Sequence, residues 1–131
     1  MRRVVLKLSG EALASAASDE TIDASTVDFL AREISAAMER GGLELAVVVG
    51  GGNIWRGATG AMAGMNRANS DLMGMLGTVI NALALQDAIE THGRPTRVLL
   101  DQPYVKDEKE TVQQFLKGAT ISAYAQVVIG G

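Results

Sequence analysis

Residues 47–57 read VVVGGGNIWRG, so a run of valines leads into three glycines and then into an arginine. The β-branched run predicts a buried strand, and consecutive glycines predict a turn whose bare backbone can approach another group closely. N–H groups in such a turn bind anions, and the guanidinium of Arg56 adds a planar fork of donors for phosphate oxygens. The stretch therefore predicts a phosphate-binding turn, with a plain glycine-rich connection and a surface arginine as the alternative.

A second glycine turn repeats this layout near the start of the chain. Residues 4–11 read VVLKLSGE, which predicts a short apolar strand, a small-residue turn and the start of a helix. Lys7 interrupts the apolar run just before Ser9 and Gly10, where its ammonium group would meet a phosphoryl group in transfer. The alternative is a lysine on the exposed face of an edge strand. Two such turns on successive strands favour the phosphate-binding interpretation of both.

Apolar segments alternate with helical patterns along the chain. We expect strands at residues 3–8, 44–49, 96–100 and 125–129. Strands that alternate with helices are typical of an α/β fold, in which helices cover a mainly parallel sheet. No internal repeat or linker is evident, so we expect one domain over residues 1–131.

The first helix is predicted from four apolar residues at helical spacing. They are Val27, Leu30, Ile34 and Met38. Asp23 or Ser25 offers the N-cap, and Gly41 and Gly42 end the helix. This helix is interpreted as amphipathic packing without a chemical role.

A second helix is predicted over residues 71–91, with apolar residues on more than one face. They are Leu72, Met73, Met75, Leu76, Val79, Ile80, Leu83, Leu85 and Ile89. We therefore expect burial on both sides, in the core or against a partner subunit. Because Asn81 and Gln86 interrupt the apolar run, we interpret it as too short to span a bilayer. Before it, residues 58–70 predict either a loop that closes over a substrate or a plain connection.

Three blocks of sequence together resemble one known family. They are residues 7–13 (KLSGEAL), 50–57 (GGGNIWRG) and 71–87 (DLMGMLGTVINALALQD). In this order they are similar to bacterial uridylate (UMP) kinases, which have the amino-acid-kinase fold, and the third block is the most specific. The resemblance implies a truncated three-layer sandwich that transfers the γ-phosphoryl group of ATP to UMP, giving UDP in pyrimidine nucleotide synthesis.

The resemblance also implies roles for individual residues. It places six of them at the ATP phosphates: Lys7, Leu8, Ser9, Gly10, Gly52 and Arg56. Of these, Lys7 and Arg56 are implied to be catalytic, whereas Gly51 and Asp71 would contact UMP. A carboxylate at Asp71 can accept hydrogen bonds from nucleoside hydroxyls, although the run 69–71 (NSD) fits a helix N-terminus equally well.

Phosphoryl transfer rests on holding two anionic substrates in line, and it needs no covalent nucleophile. The chain has no cysteine, and its single histidine, His92, precedes Gly93 at a predicted helix end, which favours a capping or solvated side chain. We find no carboxylate cluster dedicated to a metal ion. We therefore expect magnesium to be held largely by the ATP phosphates.

The composition indicates which classes of partner and which cellular compartment to expect. The net charge of −3 and the scattered basic residues disfavour a nucleic-acid partner. The absence of cysteine is compatible with a cytoplasmic protein, and Lys7 and Glu11 break the first apolar run too early for a signal peptide. The family resemblance implies a homo-oligomer, a hexamer built from dimers.

The chain also departs from the family it resembles. Uridylate kinases are considerably longer than 131 residues, and their C-terminal half forms most of the ATP pocket. Residues 14–21 (ASAASDET) lack the glycine and aromatic residues found where some relatives respond to GTP. Two interpretations therefore stay open: a uridylate kinase or the N-terminal part of one, and a catalytically incomplete nucleotide-binding or subunit-assembly module derived from one.

Overall fold

The computed structural model describes residues 2–55, 63–99 and 126–129. Their elements are β1 (Arg2–Leu8), a 3-10 turn (Gly10–Leu13), α1 (Ala24–Glu39), β2 (Leu43–Val49), α2 (Arg67–Thr91), β3 (Thr96–Leu99) and β4 (Gln126–Ile129). The four predicted strands and both predicted helices are confirmed, with small shifts at their ends. The helix start expected after Ser9 is a single 3-10 turn. Arg56 and residues 58–62 of the predicted loop lie outside the described residues.

The four strands form one sheet in the order β1-β2-β4-β3. β1 pairs with β2 in parallel, from Arg2 opposite Leu43 to Leu8 opposite Val49. β4 pairs antiparallel with both β2 and β3, so β1, β2 and β3 run in one direction and β4 runs against them. The predicted α/β fold with a mainly parallel sheet is confirmed. The parallel pairing places the carboxyl ends of β1 and β2 side by side.

One face of β2 forms the centre of the core. The buried cluster consists of Leu45, Val47 and Val49 from β2, of Val27, Ala31, Ile34 and Met38 from α1, of Ala82, Leu85 and Ile89 from α2, and of Leu13. Alternate residues of a strand share a face, which is why every second residue of β2 meets both helices. Within the described residues, α1 and α2 thus form a helical layer that covers one face of the sheet.

The ends of α1 follow the sequence signals. The Asp23 carboxylate accepts a hydrogen bond from the Thr26 N–H at 3.0 Å and provides the N-cap. Gly41 and Gly42 follow the helix with φ of 77° and 70°. Only glycine adopts this left-handed region without strain, so the pair ends α1 and leads the chain into β2.

α2 differs from its prediction at its start, and one of its faces is half exposed. It begins at Arg67, because the Asn66 side chain accepts from the Asn69 N–H at 3.1 Å and caps the helix there. The run 69–71 therefore lies inside the first turns. Within this single chain α2 is buried on one side, so burial of its other side against a partner subunit stays a prediction. Four apolar side chains of one face are about half exposed: Leu72, Leu76, Ile80 and Leu83.

The expectation that α2 is too short to span a bilayer is wrong as a statement about its length and composition. With 25 residues, α2 is long and apolar enough to cross a membrane by length and composition alone. The core helix of a globular protein passes the same test. The inward face of α2 packs in the core and carries the fully buried polar residue Asn81, so α2 covers the sheet by one face.

Candidate active site

A cleft of about 680 Å³ opens where the carboxyl ends of β1 and β2 face the first half of α2. Its walls are formed by Lys7, Leu8 and Ser9, by Val48, Val49, Gly50 and Gly51, and by Ala68, Asp71, Leu72, Gly74, Met75 and Thr78. Ligands of open α/β sheets bind in this position, outside the carboxyl ends of parallel strands. The two glycine turns that the sequence predicts therefore meet at one cleft.

The cleft brings together five of the eight residues proposed from the sequence. They are Lys7, Leu8, Ser9, Gly51 and Asp71. Gly10 is buried behind Ser9 and packs against the turn at residues 50–53. Gly52 belongs to that turn but is not among the described residues that line the cleft. Arg56 lies outside the described residues.

Lys7 fits both interpretations of its position. β1 is an edge strand of the described sheet, and Lys7 is exposed, as the alternative interpretation expects. Lys7 nevertheless belongs to the cleft wall, together with Ser9 and with Asp71 of α2. An exposed ammonium group at a cleft edge can meet an anionic ligand without a desolvation cost in the empty state.

Gly51 is a glycine because the backbone of α2 crosses it. A Cβ atom at this position would lie 2.7 Å from the Gly74 carbonyl oxygen and 2.7 Å from the Thr78 nitrogen. The Gly51 carbonyl also accepts from the Ile54 and Trp55 N–H groups at 3.0 Å each, which closes the turn. Any side chain here would displace α2 from the cleft wall. Helix packing therefore explains this glycine as well as ligand approach does.

The two glycine turns are in direct backbone contact. The Gly50 N–H donates to the Leu8 carbonyl at 3.0 Å and extends the β1–β2 pairing into the turns. A Cβ atom on Gly10 would collide with the Asn53 amide oxygen and lie 2.8 Å from the Gly52 nitrogen. A substitution in one turn is thus transmitted to the other, so they form one structural unit at the cleft.

Asn81 is the residue that the sequence analysis missed, because it was interpreted only as an interruption of an apolar run. It is fully buried, and its Nδ2 donates to the Gly50 carbonyl at 2.8 Å and to Asn53 Oδ1 at 2.7 Å. Asn53 Nδ2 donates in return to Asn81 Oδ1 at 3.1 Å, and to the Thr21 carbonyl at 3.0 Å. The available signal was its spacing, four residues after Gly77 and four before Leu85, which places a polar residue on the buried face.

The start of α2 holds two further polar contacts at the cleft. Arg67 Nε donates to Asp71 Oδ1 at 2.9 Å, which orients the carboxylate of the predicted UMP contact. Trp55 Nε1 donates to the fully buried Ser70 Oγ at 2.8 Å. Trp55, the last described residue before Arg56, is therefore fixed against α2. Among the described residues, no group of three acidic, histidine or cysteine side chains could hold a metal ion.

Comparison with known proteins gives a family and two similar structures. Residues 2–129 match the sequence profile of the amino acid kinase family. The fold is similar to that of the UMP kinase from Ureaplasma parvum, with a TM-score of 0.68 and 28% identity over 95% of this chain and 56% of that one. It is also similar to the UMP kinase from Bacillus anthracis, with a TM-score of 0.68 and 30% identity over 92% of this chain and 51% of that one. The chain thus spans about half the length of these two structures.

Proposed function

Because this chain belongs to the amino acid kinase family, we propose that it is the N-terminal, UMP-side part of a nucleoside monophosphate kinase. The reaction transfers the γ-phosphoryl group of ATP to UMP: a UMP phosphate oxygen bonds to the γ-phosphorus while the bond to ADP breaks. The observation that carries the proposal is the single cleft at which Lys7 and both glycine turns meet. The UMP kinases similar in fold support UMP as the acceptor.

The proposed roles are those that the resemblance to uridylate kinases implies, and they are supported at the cleft for five residues: Lys7, Leu8, Ser9, Gly51 and Asp71. Lys7 neutralises charge on the phosphoryl group in transfer from the cleft wall, and Arg56 adds a second cation on the ATP side. Backbone N–H groups of the first turn, at residues 8–10, and of Gly52 bind the ATP phosphates. Gly51 and Asp71 contact UMP, with the Asp71 carboxylate oriented by Arg67 to accept hydrogen bonds from the nucleoside.

ATP and magnesium are the proposed cosubstrate and cofactor. Asp71 is the one carboxylate among the described residues of the cleft wall. This donor set fits an ion that takes most of its ligands from phosphate and water, which magnesium commonly does. When bound, magnesium supplies charge neutralisation at the phosphates, and the chain's own residues orient the two nucleotides around it.

We further propose that the protein is cytoplasmic and that a second copy of the chain covers the outward face of α2. Leu72, Leu76, Ile80 and Leu83 recur on one side of the helix and form an apolar stripe. A stripe along one helix can pair with the same stripe of a second copy around a two-fold axis, because such an interface is self-complementary. Contiguous exposed apolar surface of this kind marks interaction sites.

The second candidate function is a nucleotide-binding or subunit-assembly module without catalysis. It is favoured by the observation that the chain spans about half of the similar structures. The chain would then be one partial domain over residues 1–131. In that case the cleft would bind UMP without phosphoryl transfer. Binding and turnover therefore have to be measured separately.

The decisive test is UDP formation from UMP and magnesium-ATP, with UMP binding followed in parallel. Lys7→Ala should lower turnover by about a hundredfold or more while the free energy of unfolding changes little, because the lost interaction is made with the transferring phosphoryl group. Arg40→Ala, which removes an exposed cation at the end of α1, is the matched control and should leave turnover unchanged. Binding without turnover in the wild type would support the module, and the absence of both would contradict the proposed function.

A further inference from the structure

The side-chain amides of Asn53 and Asn81 form a closed pair next to the cleft. Each amide donates to the oxygen of the other, at 3.1 Å and 2.7 Å. Asn81 uses its second N–H on the Gly50 carbonyl at 2.8 Å, and Asn53 uses its second N–H on the Thr21 carbonyl at 3.0 Å. A fully buried asparagine thus spends its donors on the turn at residues 50–53, although it lies on α2, far along the chain.

The bond to the Gly50 carbonyl has a geometric consequence for the next residue. The peptide between Gly50 and Gly51 is planar and trans, so the Gly51 N–H is antiparallel to the Gly50 C=O. A donor that fixes the direction of the carbonyl therefore also fixes the direction of the N–H. Both glycines line the cleft, and the backbone of α2 packs closely against Gly51, so the bond from Asn81 adds to this packing in holding the peptide.

We propose that the Asn53–Asn81 amide pair positions the Gly50–Gly51 peptide, so that the Gly51 N–H is held ready to bind a phosphate of the ligand. The inference rests on the nucleotide-binding function proposed above. Asn81 acts as a positioning residue because it does not line the cleft and acts through the Gly50 carbonyl. Asn53 orients Asn81 in turn, and its bond to Thr21 ties the pair to the segment before α1.

A merely structural role for the pair would give a different result from a positioning role. A buried, satisfied hydrogen-bond network contributes modestly to stability, and its loss lowers the fraction of folded protein. Such a loss reduces kcat in proportion and leaves KM of the remaining folded protein unchanged. Loss of a preset N–H donor weakens phosphate binding in the folded protein itself, so KM for UMP rises.

The test compares three variants of the full chain for KM, kcat and folded fraction. Asn81→Leu removes both donors at similar volume, and Asn53→Ala removes the partner at a partly exposed position that tolerates substitution better. Gln86→Leu is the matched control, since Gln86 lies on the same helix and its amide donates to the Thr96 carbonyl at 2.9 Å, away from the turns. We expect KM for UMP to rise about tenfold in Asn81→Leu, as for one lost bond to a charged group, and less in Asn53→Ala.

A second readout keeps this inference separable from the proposed function. In the ¹⁵N-labelled protein, the Gly51 amide signal should shift when inorganic phosphate is added to the wild type and to Gln86→Leu. The shift should be lost in Asn81→Leu or, if that variant does not fold, in Asn53→Ala. This holds even if the wild type makes no UDP, which would contradict only the kinase proposal. An equal shift in the asparagine variants, no shift in the wild type, or an unchanged KM for UMP overturns the inference.

Discussion

Strands β1 and β2 pair along their whole length and have similar apolar composition, yet they are buried very differently. Val47 and Val49 of β2 are fully buried, whereas Val4, Val5 and Leu6 of β1 are 37%, 41% and 36% exposed. Because successive residues of a strand point to opposite faces, both faces of β1 are partly open. β2 lies between β1 and β4 under both helices, while β1 has β2 as its one strand neighbour among the described residues.

α2 repeats this contrast within a single helix. Its inward face carries Leu85 and Ile89 in the core and Asn81 on the glycine turn, whereas its outward face carries the half-exposed apolar stripe. The cleft wall includes the buried Thr78 and also the half-exposed Leu72 of this stripe, so the cleft borders the outward face at the start of α2. The open sides of β1 and α2 are apolar. Covering them with a partner removes apolar surface from water, which contributes about 25 cal/mol per Å² before the costs of association.

The largest expected effect separates the two faces of α2. Leu85→Ala should lower the free energy of unfolding by about 2 to 5 kcal/mol, because it leaves a cavity in the core. Leu76→Ala should change it by less than about 0.5 kcal/mol, because the Leu76 side chain is already half exposed. Urea unfolding of dilute, monomeric protein measures both values. Equal losses of unfolding free energy in the two variants would contradict the difference in burial between the two faces of α2.

One of these variants also tests the proposed subunit contact when the protein concentration is raised. Leu76→Ala should weaken self-association in sedimentation experiments, since it truncates the stripe that a second copy would cover. Phe29→Ala is the control, because Phe29 is 56% exposed on α1 and lies outside the stripe. An association that survives in Leu76→Ala, or that Phe29→Ala also weakens, would argue against an interface through α2.

A smaller effect should separate the two strands. Val47→Ala removes two methyl groups from the fully buried centre of the sheet and should cost about 1 to 3 kcal/mol of unfolding free energy. Val5→Ala makes the same change on β1 and should stay within about 0.5 kcal/mol. Comparable costs in both variants would mean that β1 is covered in solution, and the contrast between the strands would fail.

Local signals in the sequence were sufficient to predict much of the fold and to identify the family. The valine run before three glycines, the Asp23 cap and the Gly41–Gly42 stop are each decided within a few residues, and all are present as expected. The resemblance carried by the three sequence blocks is confirmed by the match to the amino acid kinase family and by the two similar structures. These features need no knowledge of long-range contacts.

The features that were missed depend on contacts between distant residues. The Asn81 bond to Gly50 joins residues 31 positions apart, and the reason for a glycine at position 51 is the passage of α2. The exposure of Leu76 and the reversed direction of β4 likewise depend on which element packs next to which. Hydrophobicity alone does not distinguish a central strand from an edge strand, so β1 and β2 look alike in sequence. The roles of Lys7, Gly51, Asp71 and Arg56 remain predictions that the binding and turnover measurements test.

The smallest expected effect concerns a surface contact that joins α1 to the end of α2 outside the core. The Asp28 carboxylate accepts hydrogen bonds from His92 Nε2 at 2.9 Å and from Arg32 at 2.6 Å. The bond from His92 has the larger effect, and together the two bonds lower the pKa of Asp28 below its ordinary value of 3.8. The folded protein thus favours the ionised carboxylate, and the resulting stability is present above pH 3.8 and is lost as the pH falls through the lowered pKa.

Asp28→Asn should therefore flatten this part of the acid unfolding profile and leave stability near neutral pH slightly reduced. Asp19→Asn, which neutralises an exposed carboxylate in the segment before α1, is the control and should keep the wild-type profile. The buried contacts between α1 and α2 carry no titrating group, so acid weakens the surface contact while the core packing stays intact. Unfolding free energies measured across the acid range decide the matter, and identical profiles for Asp28→Asn and wild type would show that His92 and Asp28 do not pair in solution.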